Sequence, residues 1–282
     1  MRAELYLLIA TLLAALGWIA SKLVVIEMPG EAFIAIRFLL ASLVLLPFCY
    51  KQLLKLQVKH VMLACGVGVF LGLALQVWVY AVSISSSLSE GAFIMSLAMI
   101  IAPVTSWVLF QLKPNRAFWL ALPVSTMGML LLMLGNGWQV DKSQVYFLLA
   151  AILLSIHFVL NKKISSQITP LVSICLQLFT VGIVGLVYVG FTQEYAFEYS
   201  HTLLFWFVIS TILATSIRYL LQTMGQYSIK METAALIMIL EPIWTMILSV
   251  TMLNETLELQ KALGACMIFL SLFLYINTSS IK

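Results

Sequence analysis

Aspartate is nearly missing from this chain: Asp141 is the one example in 282 residues, and histidine occurs three times, at His60, His157 and His201. A membrane enzyme needs acids, histidines or metal ligands clustered around its reacting bond, and so few cannot supply such a cluster. Cysteine is sparse as well. Cys49, Cys65, Cys175 and Cys266 fall inside predicted helices without CxxC or metal-ligand spacing, and read as small packing residues. The 14 methionines are scattered, with no Met-x-x-Met cluster beside a histidine, so no metal and no cofactor is expected. A phosphate-binding loop is absent, which excludes an ATP-driven pump, and no predicted mid-helix lysine is present to hold retinal.

Charge of either sign is scarce too. At 9% charged and 63% hydrophobic, with a mean hydropathy of +1.09, the chain cannot cover a soluble globule of its length. Uncharged runs such as 61–89, 91–112, 117–140 and 143–161 each reach the roughly 20 residues that cross about 30 Å of hydrocarbon as a helix. Barrel strands would be half as long and would alternate in polarity. The expected fold is therefore an all-α membrane protein with ten transmembrane segments, at 4–22, 31–50, 60–83, 88–111, 116–135, 143–163, 170–191, 201–228, 232–252 and 259–277. The first follows a lone Arg2, exceeds a secretory h-region in length and has no small-x-small cleavage site, so it reads as a retained helix.

Basic residues settle the expected orientation. Arg2, Lys51, Lys55, Lys59, Lys113, Arg116, Lys162, Lys163, Lys230 and Lys282 collect on one set of loops, whereas the other set has only Lys142 and Lys261 beside most of the acids. The positive-inside rule then places both termini in the cytoplasm, in a bacterial inner (plasma) membrane. The net charge of +4 is spread over these loops and forms no patch for nucleic acid. Monomer and homodimer both remain open.

The two halves of the chain echo one another. Ala10 to Lys22 aligns with Ala151 to Lys163, Pro29 and Pro170 keep the same offset, and the run from Ala92 to Pro103 returns, four residues shorter, as Ala235 to Pro242. Units 1–138 and 139–282 each hold five segments, and an odd number of crossings turns the second copy over relative to the first. Inverted five-helix repeats imply a transporter that works by alternating access.

Polar side chains at hydrocarbon depth are costly and usually face the bundle interior. In segment 8, Thr211, Thr215, Arg218, Gln222 and Gly225 or Gln226 recur at helical steps and share one face. Arg218 is either a structural pin or the lining of a cavity for an anionic or zwitterionic solute, with Tyr219 beside it. Segment 3 carries Gly68, Gly72, Gln76 and Tyr80 at four-residue steps, near Trp78. The glycines suit helix packing; the polar and aromatic residues are cavity candidates. Segment 1 offers Thr11, Ala14, Ala15 and Trp18, and segment 6 offers Ser155, His157 and Asn161. Trp18, Trp78, Trp107 and Trp244 lie too deep for interfacial anchors. Arg37 is expected to snorkel or to pair with Glu27, Glu31 or Glu90, and Lys22 and Lys163 to snorkel. Glu241 precedes Pro242 near the centre of segment 9, where a proline frees a backbone carbonyl. It is the candidate proton-coupling group, because a carboxylate that alternates between desolvation and a cationic partner can change charge; pairing with Arg218 and capping of the backbone are the alternatives.

These residues resemble the EamA-like transporters of the drug/metabolite transporter superfamily. The likeness rests on Ala81 to Ile94 and onward to Pro103, on Ala234 through Leu240, Glu241 and Pro242, and on Leu253, Asn254 and Glu255 with Gly264. It implies ten helices in two inverted repeats around a central cavity lined by segments 1, 3, 4, 6, 8 and 9. Many such proteins carry a glutamate after segment 4 that mirrors Glu255; here Lys113 to Arg116 stand there instead. Arg37, Glu241 and Glu255 match positions shared across the family, whereas Arg218 does not, which points to Arg218 for selectivity. The expected substrate is a small polar metabolite, an amino acid or related zwitterion, with export as the family-weighted direction and protons as a possible coupling ion. A nucleotide or nucleoside-containing solute, or an uncoupled facilitator, is the alternative.

Overall fold

The computed structural model describes residues 2–111, 113, 116–134, 141–164, 167–192, 197–229, 234, 237–238, 240–256 and 259–279. The expected boundary at 138–139 lies outside them, as do Lys230, Lys282 and Glu194. All regular structure among the described residues is helical: α1 (Arg2–Val25), α2 (Gly30–Leu53), α3 (Val58–Ile84), α4 (Leu88–Ser96), α5 (Ala98–Phe110), α6 (Arg116–Leu134), α7 (Lys142–Ile164), α8 (Pro170–Thr192), α9 (His201–Thr211), a π-helical turn (Ile212–Ile217), α10 (Arg218–Ser228), α11 (Leu240–Met252) and α12 (Leu259–Ser279). Seven helical stretches are long and apolar enough to span a bilayer, counting α4–α5 and α9–π–α10 as one each, and α11 and part of α12 add shorter apolar helices.

Most of these helices are apolar nearly all round, as membrane helices are, whereas α10 carries Arg218, Gln222 and Gln226. α3 buries Val67, Leu71, Trp78 and Val79 on one side and exposes Met62, Val69 and Leu73 on the other. Since lipid is as apolar as leucine, association depends on close packing of small residues. A Cβ on Gly185 of α8 would meet the backbone of Ala35 on α2 at 2.8 Å, and one on Gly128 of α6 would meet the carbonyl of Gly264 on α12 at 2.8 Å. The expected packing role of Gly68 holds likewise, its Cβ position lying 3.0 Å from the Gln177 backbone of α8. The helix pairings recur in exchanged form. α2 packs on α8 and α6 on α12, while α3 on α7 is matched by α1 on α10, and α5 on α7 by α1 on α11.

Two interior helices are interrupted. Segment 4 breaks at Leu97, whose amide bonds the Ile94 carbonyl one residue closer than in an α-helix. The start of α4 is held by the turn after α11. Asn254 adopts a left-handed conformation, φ 54°, and turns the chain back so that Glu255 accepts from the Ser87 hydroxyl and, at 3.4 Å, from the Ser89 amide. Two free donors at a helix N-terminus thereby gain a carboxylate. Lys22 does more than snorkel: its ammonium donates to the carbonyls of Val82 at 2.8 Å and Ser85 at 2.5 Å, closing the end of α3.

Candidate functional site

Segment 8 does not continue as one α-helix. Between Ile212 and Ile217 it widens into a π-turn, and the hydroxyls of Thr215 and Ser216 reach back five residues to the carbonyls of Ser210 at 2.8 Å and Thr211 at 3.0 Å. Such single turns add a residue to the helix and re-aim the side chains beyond it. Arg218 is the first residue beyond this one.

Arg218 faces a central cavity formed by α1, α2, α3, α4, α5, α7, the π-turn, α10 and α11. This includes every element that the family resemblance implied, with α2 in addition. The cavity offers about 110 Å³ to the centres of water-sized molecules, several times the 10–15 Å³ that one water requires. Most of its wall is apolar, including Trp18, Phe38, Trp78, Met95, Met99 and Phe158, with polar groups on α2, α4, α7, α10 and α11.

There Arg218 NH2 and Glu241 Oε2 form an ion pair at 3.3 Å. The other carboxylate oxygen, Oε1, accepts from Trp18 Nε1 at 3.1 Å, and the guanidinium lies over the Tyr219 ring at 4.2 Å. Glu241 and Pro242 lie on α11, and helical residues 237 and 238 precede them. Thr245 donates to the Glu241 carbonyl at 3.0 Å. Trp18 in turn packs edge-on against Trp78, with centroids 5.1 Å apart. The side chains of Arg218 and Glu241 keep 13% and 19% of their surface open, so the pair borders the cavity and is not sealed behind it.

His157 also lines the cavity, and its Nε2 bonds Gln177 Oε1 at 2.9 Å. Gln177 Nε2 continues to Asn161 Oδ1 and Ser173 Oγ, each at 2.9 Å, and Asn161 Nδ2 reaches Gln226 Oε1 at 3.4 Å. Among the described residues, His157 Nδ1 and Gln222 Oε1 are buried without a hydrogen-bond partner. Both belong to residues that border the cavity.

Of the sequence-derived binding residues, Trp18, Trp78, His157, Arg218, Tyr219, Gln222 and Glu241 therefore meet at one cavity. Two lie elsewhere. Tyr80 is 43% exposed with its ring against Tyr146, and Gln76 is buried outside the cavity lining with its amide unpartnered. Both occur two residues from Trp78, and the helical turn of about 200° over two residues directs them away from it. Trp107, 36% exposed, is on the outer surface. Thr211 and Thr215 serve the π-turn.

Arg37 pairs with none of the glutamates expected. Its Nε donates to Thr215 Oγ1 at 2.5 Å and its NH1 to Ser21 Oγ at 2.8 Å, between the rings of Phe33 and Phe38. Glu27 instead accepts from Ser200, and Glu90 from Gln144. Arg37 borders the cavity, which its place on a helix outside the implied lining concealed.

Comparison with known proteins agrees with this architecture. A family model described as the EamA-like transporter family matches residues 1–134 and 142–277. An uncharacterized transporter of Archaeoglobus fulgidus is 24% identical over 279 residues, covering 96% of this chain and 86% of that protein. A solved crystal structure superposes with a TM-score of 0.70 at 15% identity, over 96% of this chain and 95% of the other, a likeness of fold. With both halves matched, the chain belongs to the EamA-like transporter family.

Proposed function

We propose that this membrane transporter moves a small polar metabolite, an amino acid or a related zwitterion, by alternating access between two inverted five-helix repeats. The observation that carries this reading is the Arg218–Glu241 pair at the edge of an otherwise apolar central cavity. Opposite charges side by side match the two ends of a zwitterion. The Trp18, Trp78 and Phe158 surfaces suit its apolar body. His157, Tyr219 and Gln222 supply the remaining polar contacts, and Gln222 Oε1 and His157 Nδ1 have no competing partner among the described residues.

Glu241 carries the coupling proton in this reading. Arg218 and Trp18 hold its two oxygens while the pair is closed. Opening the pair as the cavity changes sides frees both oxygens. Export is the family-weighted direction, and the basic loops support an orientation with both termini in the cytoplasm of a bacterial cell.

A thermal-shift panel of amino acids, nucleotides and polyamines on purified protein tests the reading, because a solute that binds only the folded state raises its melting temperature. Amino acids are expected to do so. Stabilisation by nucleotides alone would replace the zwitterion with the nucleotide alternative.

A further inference from the structure

We propose that Arg37 is the residue that binds the carboxylate of the transported solute; the proposal deepens the reading of the cavity as a zwitterion site and rests on it. Two guanidinium groups, Arg37 and Arg218, border the cavity, and among the described lining residues Glu241 is the one carboxylate. That carboxylate is already engaged, with one oxygen on Arg218 and the other on Trp18. Among the described residues, Arg37 is left without an anion.

A guanidinium 4% exposed and surrounded by helices is costly unless its charge and its N–H groups are met. The protein meets them in part. Thr215 and Ser21 take Nε and NH1, and Phe33 and Phe38 lie at 5.1 and 5.4 Å. Hydroxyls and ring faces carry no net negative charge, however, and NH2 has no hydrogen-bond partner among the described residues. NH2 lies beside Gly17, where a Cβ would stand 3.6 Å from it, and Gly17 itself borders the cavity. The same Cβ would stand 2.9 Å from the Ala214 Cβ, so Gly17 lets α1 pack on the π-turn at the side of the cavity that Arg37 borders.

The π-turn explains how the fork is held. Thr215 Oγ1 accepts from Arg37 while donating to the Ser210 carbonyl, so the turn that re-aims Arg218 also fixes Arg37. A carboxylate at NH2 would supply the missing negative charge through a charge-assisted bond, the kind of contact for which a pre-oriented guanidinium is suited. Glu241, in the same cavity wall, faces the ammonium end of the solute in this reading. Arg37 is thus a substrate-binding residue, and not the structural tie its partly hidden position suggests.

The test compares free acids with their primary amides on purified full-length protein, by isothermal titration. The probes are the 20 common amino acids, their amides, and benzoate with benzamide as a pair without an ammonium group. Wild type is expected to prefer acid over amide by about tenfold or more, the ratio for one charge-assisted bond. Arg37→Gln should reduce that ratio toward one while leaving the affinity for the amide within about threefold, a result that general misfolding does not produce. Equal binding of acid and amide to wild type overturns the proposal. So does a preference that survives in Arg37→Gln, which would leave the zwitterion reading intact. If amino acids fail while benzoate binds through Arg37, the proposal stands and the zwitterion reading falls; if no carboxylate binds, both fall. Should Arg37→Gln not fold, a crystal structure of wild type soaked with 4-bromobenzoate decides the matter. The anomalous bromine signal must leave the carboxylate at Arg37, and a carboxylate bound elsewhere overturns the assignment.

Discussion

Arg218 NH2 lies 3.3 Å from Glu241 Oε2 across the cavity edge, joining α10 to α11. The two residues come from segments that the basic-loop pattern sends through the membrane in opposite directions. A relative movement of these helices must stretch or break the pair, and a solute with both charges can take over either partner's role.

Arg218→Ala should leave folded, membrane-inserted protein that binds amino acids roughly tenfold to a hundredfold more weakly. Arg218→Lys should restore little, since a point charge does not reproduce the planar guanidinium stacked on Tyr219. Titration calorimetry beside a monodispersity check measures both. Loss of folded protein in both variants would make the residue a structural pin.

Glu241→Gln keeps much of the shape but offers one acceptor oxygen where Trp18 and Arg218 each use one. It cannot exchange a proton. We expect it to bind amino acids and support their exchange in reconstituted vesicles while losing accumulation driven by a pH gradient. An equal response in wild type and variant would make Glu241 a fixed part of the pair, and the protein a facilitator.

Thr215→Val removes the acceptor for Arg37 and the hydroxyl that satisfies Ser210, so about 1–3 kcal/mol of stability should be lost. Thr215→Ser should recover most of it. Melting curves in one detergent measure the difference, and equal melting of the valine and serine variants would remove the hydroxyl from the account of the π-turn.

Glu255→Ala should cost about 1 kcal/mol by uncovering the Ser87 hydroxyl and the Ser89 amide at the start of α4. Hydrogen exchange should rise over residues 88–91 and change little in α8. Uniform loosening of the whole bundle would show that the capping contact is not local.

Cysteine labelling from each side of the membrane tests the orientation. Positions 55 and 113 should label from the cytoplasm and position 198 from the opposite side; labelling of 55 and 198 from one side would overturn the ten-segment arrangement.

Hydropathy locates the helices closely because a bilayer demands an uninterrupted apolar length: segment 3, expected at 60–83, runs from Val58 to Ile84. The cavity residues Trp18, His157, Arg218 and Glu241 are legible because strong polarity or bulk at hydrocarbon depth needs a reason. The π-turn is not. Its signal lies in hydroxyl groups at Thr215 and Ser216 that bond five residues back, and serine and threonine make similar bonds at ordinary helical spacing as well. That extra residue also obscures Arg37, since regular helical spacing puts its partner Thr215 on the face of Arg218. Tyr80 misleads for a simpler reason. A four-residue step from Gln76 identifies a shared face but does not say which face is inward, and in α3 the aromatic cavity contact is Trp78.

Counterflow in vesicles containing the purified protein is the most direct test of the central claim, because it needs neither a known coupling ion nor a known direction. Vesicles loaded with one unlabelled amino acid at a time are diluted into the same labelled compound. The account predicts saturable entry of label for at least one amino acid, above protein-free vesicles, with strong loss in Arg218→Ala and retention in Glu241→Gln. No entry above the protein-free level for any of the 20, with nucleotides entering instead, would contradict it.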